Sequence, residues 1–307
     1  VTAAGELLTE PLRELRVSPA LHPRGQRHLS SASGLVLAGG WLYLVADDEH
    51  HLGALPLAHA GDDHPVALHR LRPGELPGDK EARKKHKPDC EALLALPPWS
   101  GHPQGALLAL GSGSRPNREQ GFLLPLRPDG SLADAPVEPV DLHGLYAPLR
   151  SRFPDLNIEG AFASGDRICL LQRANQGDAR NACASYAWPD VRDWLDGRRA
   201  APAAIDVTLY ELGTVAGVPY GFTDGAALPG GGWIFSAAAE DTEDSYRDGL
   251  CAGSALGWVR DGRLTRLAPL AGGPKVEGIA VAGHRLLLVT DADDPESASR
   301  LLALPLP

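Results

Sequence analysis

No stretch of this 307-residue chain comes near twenty consecutive apolar residues, so no helix is expected to span a membrane. Positive charge is also in deficit. Lys and Arg number 29 against 39 Asp and Glu, for a net charge of −10. That balance argues against nucleic acid as a partner, because neutralising phosphates needs a basic face. The four cysteines, Cys90, Cys169, Cys183 and Cys251, show no CxxC spacing, and zinc-ribbon and thioredoxin readings lose their support. Cys90 and Cys169 fall in apolar runs and read as small core residues. A Cys183–Cys251 bridge between neighbouring loops is the one disulfide considered. The opening residues, Val1-Thr2-Ala3-Ala4-Gly5, have no start methionine and no signal-peptide regions. A trimmed N-terminus is therefore expected, and the compartment is not written there. Hydrolase signatures are missing too. There is no G-x-S-x-G elbow and no H-E-x-x-H, and His50-His51 is a tandem pair without metal spacing, read as a solvated loop. The loop Gly111 to Gln120 is rich in glycine but lacks the GKS/T ending of a phosphate-binding loop.

What the chain does have is a repeated phrase. Val276-Glu277-Gly278-Ile279-Ala280 matches Ile158-Glu159-Gly160-Ala161-Phe162, and Cys90-Glu91-Ala92-Leu93-Leu94 differs chiefly by Ala for Gly. Thr223-Asp224-Gly225-Ala226-Ala227 and Ala32-Ser33-Gly34-Leu35-Val36 fit the same frame with shorter oxygen side chains. Each is followed by a short apolar run, a turn such as Ala282-Gly283 or Ser164-Gly165, and a second apolar strand. Five copies of a unit rich in short strands predict an all-β, five-bladed propeller filling residues 1–307 as one domain, with blades starting near 33, 91, 159, 224 and 277.

The last repeat has only three strands of its own. Glu6 to Val17 reads as a strand with nothing before it and is expected to complete that blade, pairing two edges that would otherwise stay open. Asp190 to Arg199 is expected to form a short helical excursion, and the basic run Lys80 to Lys87 a solvated loop. Blade four carries a long acidic loop, Ala239 to Ala252.

Loop lengths say which face works. In a propeller the innermost strand starts on the face to which the connection between second and third strands returns. Here those connections are long and polar, while first-to-second connections are mostly Gly turns; elaborated loops on a rigid scaffold usually carry function. The geometry predicts that Ser33, Glu91, Glu159, Asp224 and Glu277 ring one point on the axis. Carboxylates crowded in this way need protons or a cation among them. An oxygen-only donor set suits Ca2+, whereas Zn2+ would favour His or Cys and Mg2+ a tight octahedron.

At these residues the chain resembles the calcium-activated nucleotidases (apyrases), five-bladed propellers whose central calcium is ringed by one Glu or Ser per blade. The order Ser33, Glu91, Glu159, Asp224, Glu277 is similar, with Asp224 where that family has a serine. The Glu-Gly phrases also look like the esterase-like phytase propeller domains of bacterial proteins. The resemblance implies an axial calcium and a hydrolase.

Near the expected ion, Lys87, Arg118, Asn175 and Lys275 are candidates for gripping an anionic small molecule, and Arg115 and Arg173 for neutralising charge on it. Asp47, Asp89, Asp155 and Asp291 are candidate bases toward an attacking water, Asp47 and Asp291 being preferred. The expectation is a calcium-dependent hydrolase, with a phosphate ester as the leading substrate class. The competing expectation is a binding module whose calcium only pins the blades. A lactonase-type propeller would require a sixth repeat, which is not found.

Overall fold

The computed structural model describes residues 2–3, 5–175, 177–242 and 250–306. Short Leu-, Val- and Ala-rich runs bounded by Gly or Pro turns become strands of five sheets. Ahead of the first blade lie β1 (Thr2–Ala3) and β2 (Glu10–Glu14). Blade one is β3 (Ala32–Ala38), β4 (Trp41–Ala46), β5 (His51–Pro56) and β6 (Ala67–Arg70). Helix α1 (Lys80–His86) leads to blade two, β7 (Cys90–Leu96), β8 (Ala106–Gly111), β9 (Gln120–Pro125) and β10 (Glu138–Asp141). Helix α2 (His143–Arg150) precedes blade three, β11 (Ile158–Ser164), β12 (Arg167–Gln172), β13 (Asn181–Ala187) and, after α3 (Trp188–Leu195), β14 (Asp206–Tyr210). A small hairpin, β15 (Thr214–Val215) and β16 (Val218–Pro219), then leads to blade four. That blade is β17 (Gly221–Ala227), β18 (Trp233–Glu240), β19 (Cys251–Arg260) and β20 (Arg263–Pro269). Blade five is β21 (Val276–Ala282), β22 (Arg285–Thr290) and β23 (Arg300–Pro305), with β2 as its fourth strand.

The inner strands β3, β7, β11, β17 and β21 neighbour one another in a closed ring. Between each pair of adjacent sheets lies one apolar cluster, because side chains alternate faces along a strand and both faces are buried. In β22, Leu286 and Leu288 pack toward blade four with Ile234 and Leu256, while Leu287 and Val289 pack toward blade one with Leu35 and Leu44. Five seams and five such clusters make the molecule a five-bladed all-β propeller.

The N-terminal strand closes blade five as expected: β2 runs antiparallel to β23, with Pro11 opposite Leu302 and Glu14 opposite Arg300. The segment does more than that. Upstream, Leu7 bridges to Leu270 and β1 pairs in parallel with β20, on blade four. Downstream, Leu15 donates to the Ser299 carbonyl at 2.8 Å and Val17 bridges to Val66, beside β6 of blade one. The result is a strap along the rim of three consecutive blades. Leu15 and Val17 are buried under it.

The helical excursion falls at α3, a little earlier than expected. The basic run is a helix rather than a loop. Asp79 caps α1 by accepting from the Ala82 amide at 2.8 Å, and Arg83 and Lys87 are buried against acids instead of facing water. All four cysteines are free thiols. Cys183, in β13 of blade three, lies near Cys169, whereas Cys251 pairs with Glu240 in blade four. Among the described residues no helix is long and apolar enough to cross a membrane. Part of the acidic loop of blade four, residues 243–249, lies outside the described residues.

Candidate metal centre on the propeller axis

Strand register explains why one end of the axis is polar. In every inner strand, pairing with the second strand slips near the start. Such a bulge unpairs a residue and re-aims its side chain. The bulged residues are Glu91, Glu159, Thr223 and Glu277, with Ser33 and Gly34 sharing the bulge of blade one. Thr223 therefore holds the position that the sequence pattern assigned to Asp224, and Asp224 comes one residue later. Thr223 Oγ1 donates to the Val276 carbonyl at 2.8 Å and lies 2.7 Å from Ser236 Oγ, so it is consumed by the scaffold.

Two flanking positions repeat as well. The residue before each inner strand is hydrogen-bonded to the residue after the second strand. Asp47 N donates to Ser31 O at 3.1 Å, Ser112 N to Asp89 O at 2.9 Å, Arg173 N to Asn157 O at 2.9 Å and Asp291 N to Lys275 O at 3.0 Å. Each of these blades thus projects three polar residues. In blade four the corresponding pair is Gly221 and Ala238, which offer no polar side chain, and Glu240 reaches in instead.

Ser112 apart, these polar side chains wall an axial cavity of about 120 Å³. On the wall made by blades three to five, every acid but Asp294 meets a cation. Arg173 Nη1 lies 3.1 Å from Glu159 and 3.8 Å from Glu277, and its Nη2 lies 3.2 Å from Glu240. Lys275 Nζ lies 2.5 Å from Glu240, 3.4 Å from Glu277, 3.5 Å from Asp291 and 2.6 Å from Asp293. Burial works against both cations, yet the carboxylates prevail and raise their pKa values well above normal. Burial in turn pushes Glu277 up to about 8 and raises Glu159 and Asp291.

The wall made by blades one and two is different. Lys87 Nζ contacts Asp47, lies 3.1 Å from Asp89 and 3.4 Å from Asp48, and Arg118 Nη1 lies 2.8 Å from Asp89. Arg83 takes Asp48 at 3.1 Å. Glu91, however, touches no cation among the described residues, and its partner is the Ser33 hydroxyl, which donates to it at 2.8 Å. Burial first, then Glu159, Asp47 and Asp89, pushes the Glu91 carboxyl well above the usual range. One oxygen each of Asp47, Asp89 and Glu91 lie within 4.8 Å of one another, which makes this a carboxylate cluster able to ligate a metal ion. Asp89 also has a left-handed backbone (φ 57°), which aspartate tolerates better than most residues, and its Oδ2 accepts from Ser112 at 2.6 Å.

The expected site residues thus divide. Ser33, Glu91, Glu159 and Glu277 converge on the cavity, as do Lys87, Arg118, Arg173, Asn175, Lys275, Asp47, Asp89 and Asp291. Arg115 and Asp155 are not among the lining residues, and Asp155 accepts a hydrogen bond from Asn175. His50 and His51 are buried rather than solvated, and burial pushes His50 down to about 4. Asp224 is fully buried outside the cavity lining. Asp48, Arg83, Glu240 and Asp293 were not expected. The signal for Glu240 was faint, since blade four lacks charge at the repeated positions and only an acid further along could replace it.

Over residues 28–306 the chain matches a family of unknown function, DUF6929. The chain belongs to that family. No curated protein matches it. Among solved structures, this DUF6929 member is similar to the glutaminyl cyclase of Myxococcus xanthus, at 11% identity over 100% of both chains, with a TM-score of 0.52. It is also similar to regucalcin, a calcium-binding protein of Agrobacterium tumefaciens, at 12% identity over 98% of this chain and 95% of that chain, with a TM-score of 0.46. At 11% identity the likeness to the cyclase shows the fold alone, and neither match lends particular support to nucleotidases or phytase-like domains.

Proposed function

We propose that the axial cavity binds a hard divalent cation, with Ca2+ the best match, and acts as a metal-dependent hydrolase on an anionic small molecule, most simply a phosphate ester. The observation that carries the metal is Glu91, a half-buried carboxylate with a hydroxyl for its partner and no contacting cation among the described residues, beside Asp47 and Asp89. All donors are oxygens, which suits Ca2+. Lys87 marks the same spot, for its ammonium group already lies between Asp47 and Asp89, and an arriving cation would take over part of its role. A bound divalent ion would supply Lewis acidity toward an ester oxygen. The chain's own part is electrostatic and geometric. Lys80 and Lys84 of α1 border the cavity and draw in an anion, while Asp291, across the cavity, is a candidate to take a proton from water.

Calorimetric titration with Ca2+, Mg2+, Mn2+ and Zn2+, followed by a phosphatase and esterase panel with and without chelator, tests the reading. Saturable Ca2+ binding with metal-dependent turnover is expected; absence of binding by every ion sinks it. A second reading, a binding module with a structural cation, is favoured by one observation. Arg173 and Lys275 are each surrounded by carboxylates and so are poorly placed to grip an anion. Tight Ca2+ binding without turnover across the panel would select that reading.

A further inference from the structure

Below the cavity floor, a second layer on the axis is formed by Gly34, within the bulge of blade one, and by the residue after the bulge in the other blades: Ala92, Gly160, Asp224 and Gly278. The backbones are very close here. A Cβ on Gly278 would stand 2.1 Å from the Ser33 carbonyl oxygen, and one on Gly160 would stand 2.8 Å from the Asp224 Cα. One position of the five carries a polar side chain, and that side chain is wholly buried. Asp224 Oδ2 accepts from Ile279 N at 2.9 Å and from Leu35 N at 3.3 Å; Oδ1 accepts from Gly225 N at 2.8 Å. The Ala161 amide faces the same carboxylate. The donors come from four inner strands, and three of them sit two residues past Ser33, Glu159 and Glu277. Among the described residues no cation contacts Asp224 within 4 Å. Convergent main-chain N–H groups of this kind make an anion site.

We propose that the inner strands build a small-anion site at the hub of the propeller, that Asp224 is its built-in occupant, and that this carboxylate holds the bulges which aim Ser33, Glu159 and Glu277 into the cavity. The ligand class is a monocarboxylate no wider than formate or acetate. The site itself is independent of the metal reading; its effect on cation binding rests on that reading.

The test is Asp224→Gly in the full chain, which gives blade four the glycine already present in blades one, three and five and leaves an empty carboxylate-sized space. Melting is followed in chelator, so a failed metal site cannot alter the result. The midpoint is expected to fall by on the order of 10 °C, and formate is expected to recover most of that loss saturably. Pivalate, of equal charge but too wide, should not. A variant that melts like the parent overturns the proposal, as does equal recovery by formate and pivalate or recovery by neither. Should Asp224→Gly fail to fold, Asp224→Asn keeps the shape but turns an NH2 group toward the donors. Amide exchange at Leu35 and Ile279 is then expected to speed up at least tenfold, and unchanged exchange overturns the proposal. Calcium titration of the formate-rescued variant completes the separation. Rescue of melting with no calcium binding in parent or variant counts against the metal reading alone.

Discussion

The two walls of the axial cavity use the same residue types in different ways. On the side of blades three to five, Arg173 and Lys275 reach every carboxylate but Asp294, and Glu159, Glu240 and Glu277 share two cations. On the side of blades one and two, Lys87, Arg83 and Arg118 neutralise the aspartates but leave Glu91 to a serine hydroxyl. By composition alone the first wall is the more acidic. Contact reverses that ranking, because a buried carboxylate is costly in proportion to what it fails to touch. A ring of acids is thus not one site. It is a half whose glutamates are bridged by two shared cations and a half in which one acid, Glu91, touches none among the described residues.

The largest effect should come from emptying the filled half. Arg173→Ala leaves Glu159, Glu240 and Glu277 without their bridge, two of them buried, and is expected to cost about 3–5 kcal/mol in chemical denaturation, with Ca2+ recovering part of the loss. Unchanged stability would show that the two halves do not differ as described. Glu91→Gln should do the opposite, removing a poorly compensated charge while keeping the shape. The metal-free variant is expected to melt at or above the parent, yet the stabilisation that saturating Ca2+ confers on the parent, about 2.7 kcal/mol at 100 times Kd, should vanish. A retained Ca2+ shift would move the metal off this wall. Lys87→Met removes the resident competitor and should tighten Ca2+ binding about tenfold, or 1.4 kcal/mol, by calorimetry; weaker binding would make Lys87 a support of the site rather than a rival. Arg115→Ala, outside the lining, is expected to change stability by less than about 0.5 kcal/mol and leave cation affinity unaltered.

Much of this was legible in the chain, for identifiable reasons. The repeated Glu-Gly phrase marks the bulge that starts an inner strand, and its recurrence at Glu159 and Glu277, and with Ala for Gly at Glu91, located three blades and their polar end. The same phrase misled in blade four. Thr223-Asp224-Gly225 looks like acid-glycine, but the bulge falls on the threonine, and a one-residue shift sends Asp224 to the hub. Spelling cannot separate those registers, since the outcome depends on three neighbouring strands supplying amides. The fate of the loops was hidden for the same kind of reason. Lys80 to Lys87 is polar by composition, and only the acids at Asp47, Asp48 and Asp89, brought from elsewhere in the chain, draw Arg83 and Lys87 inward.

The rim strap has a mechanical consequence. Residues from β1 to Val17 lash blades four, five and one into a continuous arc. Among the described residues, the joints between blades one and two, two and three, and three and four have no such strap. A disc hooped over part of its circumference yields where the hoop is missing. The Asp47, Asp89 and Glu91 oxygens straddle the first of those unhooped joints, one from blade one and two from blade two. An ion seated there would act as a rivet, and its departure would free that joint to breathe.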